Sequence, residues 1–254
     1  MNETPRIDPY RTDETDAQLQ ETVAILRHHV TERRWQRMQQ VLSRRSRYIA
    51  AAVEDIYQPH NGSAVLRSCD AFGVQDVHII ENRNHYRVNP GVELGTAQWL
   101  SMYRYPRPQD DPEPAGAPRT RAAVATLHRL GYRVVATTPH RDDVTLSELD
   151  LTAGPVALLF GSEKEGLSEV ALELADEYMR IPMEGFVESL NISVSAAVSL
   201  HELATRLRSS AVPWQLSERE RNIVLARWLR HSVRHAGPIL ERERARPDLS
   251  RPAD

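Results

Sequence analysis

Apolar and polar positions alternate along this chain with two different periods, and the changes of period mark out its segments. Between residues 16 and 42 apolar residues recur every three or four positions, as Leu19, Val23, Leu26 and Val30 and then Trp35, Met38 and Leu42. This spacing predicts helix with one buried stripe. Residues 48–53 are apolar and partly β-branched and predict a first strand, ending at Glu54, Asp55 and the turn-like 58–62. A helix follows to Phe72, capped by Asn61 or Ser63, buried along Val65, Leu66, Cys69 and Phe72, and stopped by Gly73. Strands are expected at 77–80, 99–105 and 132–137, with a polar loop at 82–91 suited to covering a substrate. Residues 106–118 hold five prolines and read as a linker, and 119–130 as an amphipathic helix closed by Gly131.

The unbroken apolar run 156–160 after Pro155 has the signature of a parallel strand buried on both faces, and Gly161 lets the backbone turn sharply at its end. Ser168 can cap the next helix, 170–175, with Ala171 as its third residue; a short strand 178–181 and a loop 182–188 follow. The helix predicted over 191–207 is apolar on more than one side, which requires docking in the core and suggests a dimer interface as well. Ser217 and Glu220 form a capping box for a last helix, 223–233, and the charged tail beyond Pro238 is expected to be loose. Strand, loop and helix in repeated succession predict an α/β fold with a mostly parallel sheet flanked by helices. The expected organisation is a disordered leader (1–16), a basic helical extension (17–46), a core (47–211), and a C-terminal helical extension with its tail (212–254).

Composition narrows the functional classes. Charged residues at 26% and hydrophobic residues at 41% describe a globular protein with no membrane span. The polar, acidic start lacks the apolar core of a signal peptide, and a lone cysteine, Cys69, cannot form an internal disulfide; both favour the cytoplasm. Clustered-thiol metal binding is excluded and no metal is expected. Net charge is −3, so any basic surface must be local. Lys164 is the only lysine against 31 arginines. A GC-rich genome produces such a bias without function, yet arginine also forms forked contacts to phosphate. Six arginines fall in residues 33–47 with no acid after Glu32: either a solvated face or a contact to RNA phosphates, with Arg33, Arg34, Arg37 and Arg44 as candidates. Arg227, Arg230 and Arg234 are the C-terminal counterparts.

Open α/β sheets bind ligands beyond the carboxyl ends of their strands, which singles out the loop after residue 160 and its Glu163. From spacing alone Arg67 pairs with Asp70 one turn on, Glu163 is a loop carboxylate beside Lys164, His60 is a turn residue and His78 a satisfied histidine rather than a catalyst.

Three ordered marks change that balance: Asn61 to Gly73 as an N-x-S-A-x-x-R helix, Phe160-Gly161-Ser162-Glu163-Lys164-Glu165-Gly166, and Ile181-Pro182-Met183 with Ser189-Leu190-Asn191-Ile192-Ser193-Val194. With them the chain, from about Arg34 to Ala236, resembles the SPOUT superfamily of RNA methyltransferases, and more closely its tRNA guanosine-18 2′-O-methyltransferase family. The resemblance implies a C-terminal trefoil knot, an obligate homodimer, S-adenosylmethionine as methyl donor, and arginine-rich terminal helices that hold tRNA. It implies donor contacts around Thr137, Gly161, Ile181 and Leu190 and a catalytic set of Asn61, Arg67, Glu163, Ser189 and Asn191. The family's account makes Arg67 a base; a guanidinium pKa above about 12 favours stabilisation of developing charge instead. The rival expectations are a ribosomal RNA 2′-O-methyltransferase of the same superfamily and a non-catalytic RNA-binding module. The acidic leader before Gln18, the proline-rich insertion at 106–118 and a divergent C-terminal tail depart from the family pattern and bear on substrate choice.

Overall fold

The computed structural model describes residues 10, 12–86, 95–107, 116–139, 144–162 and 164–245. In chain order its elements are α1 (Asp16–Arg27), α2 (Glu32–Leu42), β1 (Ile49–Glu54), α3 (Pro59–Phe72), β2 (Asp76–Ile80), β3 (Ser101–Tyr105), α4 (Pro118–Arg129), β4 (Arg133–Thr137), β5 (Val144–Thr145), β6 (Val156–Phe160), α5 (Glu169–Leu174), β7 (Glu177–Arg180), α6 (Ile192–Ser209), α7 (Glu218–Ser232) and α8 (Ala236–Arg244). They fall into two compact units, one within residues 45–215 and one combining described residues of 10–44 with 216–245.

The larger unit is a seven-stranded sheet in the order β3-β2-β1-β6-β4-β7-β5, with every pairing parallel. β6 lies at its centre, with Leu158 opposite Ala51 of β1 and Val135 of β4. All residues of β1 and β6 are buried, because helices cover both faces; this is why β6, and β1 as far as Val53, are unbroken apolar runs rather than alternating. On one face Val65, Leu66 and Cys69 of α3 and Leu200, Leu203 and Leu207 of α6 share a core with Ile49, Ala51, Val53, Leu158 and Phe160. On the other, α4 packs over β2, β3 and β4.

Buried polar groups near the start of this sheet hydrogen-bond to one another. Arg47 Nε donates to Asp76 Oδ2 at 2.8 Å, and the Tyr132 hydroxyl donates to the Arg47 carbonyl at 2.6 Å. His78 is fully buried in β2, stacked on Tyr103 with ring centroids 4.2 Å apart and with Nδ1 3.0 Å from the Tyr105 hydroxyl. Burial first, and then the charge of Arg47, push its pKa down to about 3, so it is a neutral core group. Burial also pushes the Cys69 thiol up to about 12, which removes it from thiolate chemistry.

The second unit packs Leu19 of α1 with Ile223 and Ala226 of α7, and buries Leu26, Trp228 and Leu229 completely or nearly so. Arg230 donates to both carboxylate oxygens of Glu14, at 2.6 and 2.7 Å. Burial tends to raise the Glu14 pKa, but the hydrogen bond and charge of Arg230, helped by Thr22 and Arg244, outweigh it and hold the carboxyl below its ordinary value.

Several local expectations change. The stripe over residues 16–42 is two helices, broken at 28–31 where Thr31 caps α2 by accepting from the Arg34 N–H. α3 begins at Pro59, so Asn61 lies in its first turn and Ser63 just past it, and neither caps it; Pro at the first helical position needs no N–H partner. Trp99 belongs to a 3-10 turn, Thr96–Trp99, ahead of β3, and β5 was not foreseen. The chain past Pro238 is no loose tail as far as Arg244: α8 buries Ala236 and Leu240, and Arg244 donates to Thr22 Oγ1 at 2.8 Å. The leader residues 1–9 and 11, and residues 108–115 of the proline-rich insertion, lie outside the described residues.

Candidate active site

The site is built on the carboxyl ends of β1, β6, β4 and β7. Because β6, β4 and β7 are neighbours in the sheet, Gly161 just after β6, Thr137 at the end of β4 and Ile181 just after β7 come to adjacent strand ends. Thr137 Oγ1 donates to the Leu159 carbonyl at 3.0 Å, tying β4 to β6 there. Ile181 packs against the main core, and Leu190 is half-buried.

The loop after β6 closes on itself. Ser162 N–H donates to the Gly166 carbonyl at 2.9 Å and Gly166 N–H to the Ser162 carbonyl at 3.0 Å. A Cβ on Gly161 would stand 2.1 Å from the Gly166 carbonyl carbon, so no other residue fits the first position without moving backbone. Gly166 has φ +71°, the left-handed conformation that glycine adopts at least cost. Glu163, the expected catalytic carboxylate, lies in this loop but outside the described residues. The loop's exit is anchored by Glu54, a buried carboxylate ending β1. Glu54 accepts from the Ser168 N–H and hydroxyl, both at 2.8 Å, and from the Thr120 hydroxyl, while Ser168 also caps α5 by accepting from the Ala171 N–H at 3.1 Å.

Asn61 and Asn191 are brought together. Asn191 caps α6, its Oδ1 accepting from the Ser193 N–H at 2.9 Å and the Ser193 hydroxyl at 2.6 Å, which directs Nδ2 towards Asn61 Oδ1, 3.4 Å away. Asn61 is buried at 3% exposure, held by the packing of α3 on α6. Arg67 and Ser189 are exposed and form no hydrogen bond or ion pair among the described residues. The expected Arg67–Asp70 pair is absent: Asp70 is taken by Arg45, buried at 1% exposure, which also donates to the Val74 carbonyl at 3.2 Å. A buried guanidinium must be neutralised, and Asp70 serves Arg45 across 25 residues of sequence rather than Arg67 on its own helix.

A cleft of about 520 Å³ opens at the mouth of this region, with Asp55, Tyr57, Arg83 and Asn84 on one side and Ser162 and 164–168 on the other. The sequence marks the loop 82–91, to which Arg83 and Asn84 of this wall belong, as suited to covering a substrate, but not Asp55 or Tyr57 beside it. The wall's only signal was a polar loop, because the features that shape it, Asp55 with φ +52° and its contacts to 82–84, are 27 or more residues apart.

Among the expected RNA-binding arginines, Arg33 and Arg37 share one exposed face of α2 with Gln36 and Gln40, and Arg44 and Arg234 are exposed. Arg34 is exposed and lies 3.5 Å from the Ser232 hydroxyl, and Arg227 is half-buried. Arg230 is half-buried and donates to both carboxylate oxygens of Glu14. Arg45 and Arg47, which swelled the basic run, are likewise committed to Asp70 and Asp76. None of the described helices is long and apolar enough to cross a membrane.

Residues 48–201 match the SpoU rRNA Methylase family. The tRNA (guanosine(18)-2′-O)-methyltransferase of Borreliella burgdorferi is 33% identical over 84% of this chain and 92% of its own, and that of Thermus thermophilus 37% identical over 79% and 97%. The crystal structure of the A. aeolicus TrmH/SpoU tRNA modifying enzyme aligns with a TM-score of 0.66 at 27% identity, covering 80% of this chain and 98% of that one.

Proposed function

The chain belongs to the SpoU rRNA Methylase family, and from that membership we propose that it is a tRNA 2′-O-methyltransferase that methylates guanosine 18 with S-adenosylmethionine as donor. One observation carries the choice of tRNA over ribosomal RNA. The match to the Borreliella burgdorferi tRNA enzyme spans 213 residues, well beyond the family core 48–201, and takes in part of the arginine-bearing terminal segments.

The residues fit the donor. The Gly161 cradle admits no side chain, leaving backbone polar groups to meet a ligand, and Ile181 and Leu190 offer apolar surface for a flat ring. Thr137, Gly161, Ile181 and Leu190 would hold it, and when bound it supplies a methyl group on a sulfonium. Arg67, unengaged among the described residues, grips the phosphate beside the target ribose and stabilises the negative charge that grows on the 2′-oxygen. Asn61 and Asn191 orient the ribose through the amide pair that joins α3 to α6, and Ser189 adds a hydroxyl to the catalytic set. Glu163 orients Arg67 or takes the hydroxyl proton.

The same reading includes a homodimer formed through the outer face of α6, where Val194 and Val198 stay 45% and 40% exposed, a trefoil knot in the C-terminal part of the larger unit, and action in the cytoplasm. Arg33, Arg37, Arg44 and Arg234 supply phosphate contacts. Mass spectrometry of RNA from a deletion strain tests the proposal. Loss of the 2′-O-methyl mark at guanosine 18 of tRNA is expected; loss from ribosomal RNA would transfer the activity there, and no lost mark would leave an RNA-binding module.

A further inference from the structure

The cleft in front of the Gly161 loop is bridged by the ion pair of Arg83 with Glu165, whose side chains are 50% and 59% exposed. The two sides differ in construction. Arg83 stands on a rigid frame: Asp55, held at φ +52°, accepts with one carboxylate oxygen from the N–H groups of Asn82, Arg83 and Asn84 at 2.7, 2.8 and 3.4 Å, and its carbonyl accepts from Asn84 Nδ2 at 2.9 Å. Aspartate is among the few residues that tolerate this conformation, since its short side chain bonds locally. Farther along, Tyr86 is buried with its ring against Gly62, where a Cβ would stand 2.3 Å from the ring. Arg107 donates to the Arg83 carbonyl at 3.2 Å, placing a second guanidinium at the same turn. Glu165 sits in the tight loop 161–166, its N–H on the Ser162 hydroxyl at 3.2 Å.

So rigid a support for one half-exposed arginine exceeds what a surface ion pair contributes, because exposed pairs add little to stability. The chemistry of the pair points elsewhere. A guanidinium fork accepts a phosphodiester in the same geometry as a carboxylate, so a phosphate can take the place of Glu165 without rearranging the arginine. An unpaired carboxylate in a cleft that admits RNA would repel the strand; paired with Arg83, its charge is masked until the exchange.

We propose that Arg83 is a phosphate ligand for the bound RNA strand and that Glu165 occupies its guanidinium in the free protein, yielding it when the phosphate arrives. This rests on the reading of the chain as a tRNA methyltransferase. It adds a binding site on the cleft wall facing the Gly161 loop and makes Glu165 a competitor of the substrate.

The test is tRNA binding across salt concentration for wild type, Arg83→Ala, Glu165→Gln and the double variant, with S-adenosylmethionine affinity and wild-type methylation followed in parallel. Both side chains are about half exposed, so all variants should fold. Arg83→Ala should weaken binding about tenfold and flatten the log–log salt slope by about one unit, as for one lost phosphate contact. Glu165→Gln should tighten binding severalfold at the wild-type slope, and adding Arg83→Ala to it should still cost about tenfold. A structural clamp predicts the reverse sign: Glu165→Gln would weaken binding as Arg83→Ala does, and the double variant would lose no more. That result, an unmoved affinity in Glu165→Gln, or an unmoved slope in Arg83→Ala would overturn the inference while wild-type methylation of tRNA continued. A wild type that neither binds nor methylates tRNA would instead bring down the underlying reading, and the inference with it.

Discussion

Asn191 Nδ2 points at Asn61 Oδ1 across 3.4 Å while Asn191 Oδ1 caps its own helix, so a single amide joins the start of α6 to the first turn of α3. The two halves of that amide do different jobs, and substitution can separate them. Asn191→Ser keeps a good cap but loses the group facing Asn61, whereas Asn191→Ala loses both. Serine should leave thermal stability near wild type and alanine should cost about 1 kcal/mol, the usual worth of a cap. If the amide pair orients the ribose, both should lose turnover to a similar extent, on the order of tenfold or more. Melting curves with single-turnover rates check this; full activity in Asn191→Ser would assign Asn191 to the cap alone.

Arg67 offers a contest between two chemical roles. Lysine keeps the charge and loses the fork, so Arg67→Lys should lose on the order of a hundredfold in turnover with donor affinity nearly unchanged, as for other lost stabilisers of developing charge. Were residue 67 the base, lysine with its pKa of about 10.4 would retain rate and shift the pH–rate profile downward. Single-turnover rates across pH with saturating tRNA distinguish a uniformly depressed profile from a displaced one.

The arginines of residues 33–47 divide by structure into two classes with opposite readouts. Replacing exposed Arg33 and Arg37 with alanine should flatten the salt slope of tRNA binding by about one unit each and leave stability alone. Replacing buried Arg45 should instead destabilise the fold by roughly 1.5–3 kcal/mol, the worth of hydrogen bonds to a charged group, and leave the slope unchanged. Salt titrations and denaturant melts on the two variants decide whether the division holds.

Gly161→Ala should abolish donor binding, because its Cβ would stand 2.1 Å from the Gly166 backbone and force the loop open. The sheet behind the loop does not depend on it. Calorimetry with S-adenosylmethionine should show no binding by a variant whose circular dichroism is that of wild type; normal donor affinity would move the donor site away from this loop.

His78 links stability to pH. Its folded pKa, about 3, lies below the ordinary value of 6.5, so between those limits the unfolded chain binds the extra proton. Its contribution is therefore complete above pH 6.5 and is lost as pH falls towards 3, by at most about 1.4 kcal/mol per pH unit. Urea unfolding from pH 7 to 4.5 should show this slope in wild type and a shallower one in His78→Asn; equal slopes would mean that the imidazole protonates in the folded state.

The sequence by itself determined which segments are buried and how they end. The unbroken apolar runs of β1 and β6 announce strands covered on both faces, and Ser168, Ser217 and Gly73 act as caps by local geometry that three or four residues specify. Periodicity reports this much because it records which side of an element meets water. It carries no information on what lies across the interface. Hence the sequence pairs Arg67 with its neighbour Asp70, while the tertiary structure gives Asp70 to Arg45, whose burial demands a counter-charge.

The same limit applies to the site. Thr137, Gly161 and Ile181 converge because the strand order runs β6-β4-β7, an arrangement fixed by how the connections cross the sheet and not by any pattern within one strand. Asn61 meets Asn191 across 130 residues, and Arg83 meets Glu165 across 82, only once that order and register are set. Chain-local physics selects the elements; competition among distant groups for burial, partners and charge decides which side chains meet.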